Sequence, residues 1–140
     1  MPQLYTAGLV LIKENKVLLA LSKNKNAFYL PGGKINENEN ENAITALIRE
    51  IEEELSSVLK ADKLQFYKHI TAPAFGEEPD VIMEQDCFFY NDALSIMPSA
   101  EIERAEWFSK AEYLQQQHIA PGVVKLFDEL TADGFITSQS

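Results

Sequence analysis

The sequence is poor in several residue types that would by themselves announce a function. It holds one cysteine, Cys87, which excludes an internal disulfide and a cysteine-only metal site and suits a reducing compartment. Its two histidines, His69 and His118, have no His or Cys partner at ligand spacing, so a zinc site is not expected. Basic residues are scarce: 12 Lys and Arg stand against 22 Asp and Glu, for a net charge of −10. With no basic run, binding to the backbone of a nucleic-acid polymer is not expected either. The apolar run Ala7–Ile12 stops at Lys13 and Glu14, too short for a membrane span or a secretion leader. A cytoplasmic protein with no membrane partner is the expectation.

What is present is ordinary globular material. The 140 residues are 46% hydrophobic and 24% charged, enough for one domain over 1–140 that buries its own core. Residues 3–12 and 16–22 read as a hairpin of buried strands turning at Glu14-Asn15, and Phe28-Tyr29-Leu30 as a short strand ending at Pro31. A helix is expected from Asn40 or Asn42 to about Leu55, with an asparagine as its N-cap. Strand-like stretches follow at Leu64–Thr71, Val81–Tyr90 and Ile102–Phe108. Ser109 then caps a short helix over Lys110–Gln116, and Pro121 opens a last helix closed near Gly134. The tail Phe135–Ser140 is expected to be loose. There is no internal repeat; the low-complexity segment is NENENEN at 36–42. Strands on either side of a central helix, with helices late, indicate an α/β or α+β layer structure.

The chain is organised around Pro31 to Ser57. At about 100° per residue, Glu50, Glu53 and Glu54 fall in one sector of a helix, while Ile44, Leu47, Ile48, Ile51 and Leu55 fall in another. Like charges at such spacings destabilise a bare helix by about 0.2–0.5 kcal/mol per pair, so the acidic cluster invites a cation. Gly32 and Gly33 permit a sharp turn that leaves a carbonyl free for a hard ion. Ala43 and Ala46, on or beside the acidic face, leave room above it. Arg49 can pin a carboxylate with two parallel bonds. Carboxylates together with substrate phosphates form a natural shell for Mg²⁺, and phosphoryl-centre hydrolysis is the chemistry that needs such a shell.

Gly32-Gly33-Lys34-Ile35, the acidic loop and Arg49 to Ser57 (REIEEELSS) resemble the Nudix box, G-x5-E-x7-R-E-U-x-E-E-x-G-U with U a bulky aliphatic residue. Arg49, Glu50, Ile51, Glu53 and Glu54 match its second half in register. Phe28 to Gly33 resembles the strand that enters the box, and Glu106-Trp107-Phe108 a late strand of the family. The sequence departs from the pattern twice. Two surplus residues fall in NENENEN, so that Glu39 keeps the spacing from Gly33 and Glu41 the spacing to Arg49. Glu41 is favoured, because the helix fixes the later register and a loop absorbs insertions cheaply. Ser56-Ser57 replaces the Gly and aliphatic residue at the helix end, which weakens the helix stop rather than the chemistry.

The resemblance implies a Nudix-type α/β/α sandwich with a mixed sheet. It also implies a hydrolase, dependent on Mg²⁺ or Mn²⁺, that cleaves a pyrophosphate bond in a nucleoside diphosphate linked to another moiety. By position, Gly33 (through its carbonyl), Glu50, Glu53 and Glu54 would be metal ligands. Glu50 would alternatively serve as general base, and Arg49 as the orienting partner. A further acid from outside the box often contributes in this family, and Glu77, Glu78, Glu84, Glu101, Glu103 and Glu106 are candidates. Phe28, Tyr29 or Phe75 could stack on a nucleobase; Phe88, Phe89, Trp107 and Phe108 are expected in the core. A homodimer agrees with base rates. The competing readings are a non-catalytic nucleotide- or protein-binding module on the same fold and an acidic interaction protein.

Overall fold

The computed structural model describes residues 3–74, 76 and 80–137. Phe75, Glu77 and Glu78 lie outside the described residues, as does the end of the tail at 138–140.

The strands are β1 (Gln3–Val10), β2 (Ile12–Lys13), β3 (Lys16–Ser22), β4 (Gly32–Lys34), β5 (Leu64–Pro73), β6 (Ile82–Tyr90) and β7 (Ile102–Phe108). They form a four-stranded sheet in the order β4-β1-β6-β5 and a three-stranded sheet in the order β2-β3-β7. β1 runs parallel to β6 and antiparallel to β4, so the sheet is mixed, as expected. Helix α1 (Ala43–Leu55) lies on one side; α2 (Lys110–Tyr113) and α3 (Pro121–Ala132) lie on the other.

Strand alternation makes this layering possible. Ala7 and Leu9 of β1 and Leu18 of β3 face α1 and meet its Leu47, Ile51 and Leu55. Val10, Val17 and Leu19, from the opposite faces of the same strands, meet Val123, Leu126 and Phe127 of α3. Residues of both parities are therefore buried, and these strands read as continuous apolar runs.

The expected hairpin between 3–12 and 16–22 is corrected by the structure. The turn at Glu14-Asn15 is real, with both φ values positive at 52° and 67°, the conformation that suits a tight hairpin. It joins only β2 to β3. β1 has both edges occupied, by β4 and β6, and cannot also pair with β3, so the chain changes sheets at Leu11. The expected strand at Phe28-Leu30 reduces to a single bridge, Tyr29 to Ala20. The segment spans the gap between the sheets: Tyr29 exchanges backbone hydrogen bonds with Ala20, and the Pro31 carbonyl accepts from Leu9 N–H at 2.8 Å.

The helices agree better with expectation. Asn42 is the N-cap of α1, its side chain accepting from Thr45 N–H at 2.8 Å. Ser109 and Glu112 form a capping box at α2, which is shorter than expected. α3 starts at Pro121 and is followed by Gly134 at φ 83°. The tail is not loose as far as Thr137: Ile136 is buried, Phe135 packs on Tyr67 and Phe89, and Thr137 N–H donates to Asn15 at 2.8 Å.

Candidate active site

Two neighbouring elements build the site. Strand β4 carries Gly32 and Gly33 along the edge of β1, and α1 packs behind it. At Gly32 φ is 137°, and an added Cβ would stand 2.0 Å from the Ala7 carbonyl oxygen; only glycine fits there. At Gly33 a Cβ would come within 2.5 Å of Glu50 Cδ. The room beside the carboxylates is therefore kept by Gly33. It is not kept by the helix alanines: Ala46 is fully buried and Ala43 packs in the cluster around α1.

The charged groups separate into a brace and a row of acids. Arg49 donates to both oxygens of Glu41, through Nε at 3.0 Å and Nη2 at 2.9 Å. Its Nη1 donates to Glu50 at 2.8 Å, and Nη2 also reaches the Lys34 carbonyl at 3.0 Å. The expected bidentate contact is thus made to Glu41, and Glu50 receives a single bond. Glu41 also accepts from Asn36 N–H at 2.9 Å. These bonds hold the Glu41 carboxyl below its ordinary value, the Arg49 side chain first and the Asn36 amide next. Glu39 belongs to a 3₁₀ turn, Glu37–Glu39, closed by Asn40 in the left-handed region at φ 57°. That turn takes up the surplus of the loop.

Glu54 is half-buried and accepts from Gly32 N–H at 3.0 Å. Burial pushes its pKa up to about 8; the Gly32 amide opposes the shift, and the charges of Glu50 and Glu53 add to it. Burial likewise raises Glu50, against the pull of Arg49. Glu53 is exposed. The three carboxylates thus feel one another, and carboxylate oxygens beside a backbone carbonyl are donors suited to a hard divalent cation. Among the described residues no three His, Cys, Asp or Glu side chains converge closely enough to share an ion. Glu50 is turned to Arg49 and Glu54 to the Gly32 amide, so joint coordination requires rotation of these side chains.

A pocket of about 180 Å³ opens beside Gly32, Gly33 and Glu54. Its other walls include Leu4 and Thr6 of β1, Tyr29, and Met83 and Gln85 of β6. Of the aromatic candidates, Tyr29 lines this pocket, whereas Phe28 is in the core. Phe88 and Phe108 are buried as expected, and Trp107 and Phe89 pack against the two clusters. Of the outside acids, Glu84 is taken up by His69 and Thr71 at 2.7 and 2.6 Å. Glu106 pairs with Arg104 at 3.1 Å, and Glu101 and Glu103 are exposed. The pocket walls on β1 and β6 were missed by sequence reasoning, because in strands buried on both faces a pocket residue has the same pattern as a core residue.

A family model described as NUDIX domain matches residues 2–130. No curated protein matches the sequence. Among solved structures, the MutT protein from Methanosarcina mazei Go1 is similar at 18% identity and TM-score 0.70, over 94% of this chain and 95% of that one. A MutT NUDIX hydrolase from Burkholderia pseudomallei is similar at 20% identity and TM-score 0.68, over 92% and 98%. A third is a bifunctional NMN adenylyltransferase/ADP ribose pyrophosphatase from Francisella tularensis, complexed with AMP and Mn. It is 17% identical, with TM-score 0.68, over 94% of this chain and 42% of that one. At these identities the structures attest the fold, and the family model, matched across nearly the whole sequence, attests the kinship: the chain belongs to the Nudix hydrolase family.

Proposed function

We propose that the chain hydrolyses a pyrophosphate bond in a nucleoside diphosphate derivative, with Mg²⁺ or Mn²⁺ held by Glu50, Glu53, Glu54 and the Gly33 carbonyl. The observation that carries this reading is the meeting of the acids with a pocket: the Glu54 carboxylate and the Gly32-Gly33 backbone form one wall of the cavity. When bound, the cation supplies charge for the phosphate oxygens and acidifies a water molecule. The chain supplies position. Arg49 holds Glu50 at one end and Glu41 at the other, which steadies Glu50 for taking a proton from water, while its service as a ligand requires the rotation described above. Glu53, exposed on α1, is open to an incoming cation. The AMP and Mn of the Francisella structure accord with this assignment.

The test is metal-dependent phosphate release on a panel of nucleotides and dinucleotides with Mg²⁺ and Mn²⁺. Turnover is expected in the wild type, with a loss of several orders of magnitude in Glu53→Gln at an unchanged melting temperature. Wild-type rates in that variant would sink the assignment, and a wholly inert panel would favour the binding module.

A further inference from the structure

A methionine stands between the pocket beside Gly33 and Glu54 and a smaller cavity. Met83 of β6 lines the pocket of about 180 Å³ and also a cavity of about 20 Å³, whose other walls include Pro73 of β5 and Ala120, Gly122 and Val123 at the start of α3. In the sheet Met83 has Leu4 of β1 on one side and Ala72 of β5 on the other. Its thioether reaches across to α3 at Gly122. An added Cβ there would stand 2.6 Å from Met83 Cε and 3.8 Å from Ala72 Cβ. Gly122 lies buried in the first turn of the helix without a positive φ, so the backbone does not demand glycine, and alanine is the better helix former. What the missing side chain provides is a seat for the Met83 methyl group. Filling that seat would displace the methyl. Ala72 closes the β5 side, so the thioether, pliable about its single bonds, would swing towards Leu4, and Leu4 is a wall of the larger pocket.

Resting on the hydrolase reading above, we propose that Gly122 is a positioning residue for specificity: by seating the Met83 thioether against α3, it sets how large a nucleobase the pocket admits. Phosphates held at the acidic row place the attached nucleoside beside Gly33 and Glu54, at the mouth of this pocket. Met83 meets the base through a methyl group and a sulfur, so it discriminates by volume and not by hydrogen bonding. Gly122 touches no part of the substrate and acts through Met83 alone. A side chain at 122 would carry the methyl into the pocket and penalise a two-ring base more than a one-ring base.

The experiment compares the full chain with Gly122→Ala, Met83→Ala and the double variant. Binding of ADP, GDP, UDP and CDP is measured by calorimetry, and steady-state kinetics are run on their diphosphate derivatives. Gly122→Ala is expected to weaken the purine nucleotides by roughly tenfold, the scale of one methylene group in a pocket, and the pyrimidine nucleotides less, with the change in Kd and KM rather than kcat. Removing the displaced group should undo this, so the double variant recovers the purine affinity. Met83→Ala alone joins the two cavities and should shift the preference towards purines, which decides the matter if Gly122→Ala folds poorly. Met83 is one of only three methionines, so its ¹³C-labelled methyl signal is identified by its loss in Met83→Ala; it should move in Gly122→Ala without ligand and in the wild type when a purine nucleotide is added. A Met83 signal unmoved by Gly122→Ala, purine binding equal in wild type and Gly122→Ala, a loss not recovered in the double variant, or no nucleotide bound by the wild type would overturn the proposal. Binding in the expected pattern with no derivative hydrolysed would count against the hydrolase reading alone, and turnover with Gly122→Ala indistinguishable from wild type would count against this proposal alone.

Discussion

Arg49 shows how single residues divide the work at this site. It is only partly exposed and touches Glu41, Glu50 and the Lys34 carbonyl at once, so Glu41 acts through Arg49 on Glu50. A positioning group of this kind typically matters by 10–100-fold. Glu41→Gln is therefore expected to lower kcat by roughly 10–100-fold, whereas Glu39→Gln leaves it unchanged; steady-state rates for the two variants decide which glutamate completes the box. Spacing alone left two candidates, since the loop's surplus could fall on either side, and the 3₁₀ turn at Glu37–Glu39 shows where it went. A second residue-scale case is His69, whose ring nitrogens each lie 2.7 Å from a carboxylate, Asp86 on one side and Glu84 on the other. With acceptors on both sides the imidazolium is favoured, and Asp86 first, then Glu84, raises its pKa above the ordinary 6.5. A raised folded-state pKa means a stabilisation fully present below the unfolded value and lost as pH rises through the folded one. The melting-temperature difference between wild type and His69→Gln should thus be largest near pH 6 and shrink on going to pH 9, about the span over which a raised histidine titrates. A pH-independent difference would show that charge is not its source.

At the scale of elements, α1 is the part most legible in the sequence. Its apolar spacing and its end at Leu55 appear as read, and of the two asparagines open as its cap Asn42 takes the place, because a helix is specified by contacts between near neighbours in sequence. The strands were legible as segments but not as partners: β1 was assigned to the wrong sheet, and the 28–30 strand proved to be a connector. Pairing depends on which strand arrives from far along the chain, and β6, the neighbour that takes β1, begins at Ile82. The departure from the box at Ser56 has a local consequence. Ser56 takes the left-handed conformation a glycine would take, at φ 55° and ψ 35°, and bonds Ser99 Oγ at 3.1 Å. The left-handed region costs a non-glycine residue about 1–2 kcal/mol, while glycine adds about 0.5–1 kcal/mol of unfolded-state entropy. Ser56→Gly loses the Ser99 bond as Ser56→Ala does but is relieved of the strain, so it should be more stable than Ser56→Ala by about 0.5 kcal/mol, seen as a higher urea midpoint at constant slope. Ser56→Ala, which keeps the strain and loses the Ser99 bond, should move the midpoint down. If both variants fall, the serine bond outweighs the backbone strain.

At the scale of the whole molecule, the excess of acid and the site are linked. The net charge of −10 makes the compact state repel itself, and at Glu54 that repulsion is compounded by burial and by Glu50 and Glu53. Composition made the overall charge legible, but the partial burial of one carboxylate was not, because it depends on how β4 lies against α1. Any salt should relieve the general repulsion by screening, over a distance of about 10 Å at 0.1 M. Only a cation held by the acidic row should do more. A ligand at a hundred times its Kd stabilises by about 2.7 kcal/mol, or roughly 5–10 °C for a chain of this size. Thermal melts with millimolar Mg²⁺ or Mn²⁺ are accordingly expected to exceed melts in NaCl of the same ionic strength by several degrees. Glu54→Gln should lose that excess and keep the response to NaCl. Equal shifts in the two salts would reduce the cation effect to screening and remove the acidic row as a binding site, whatever the activity assays show.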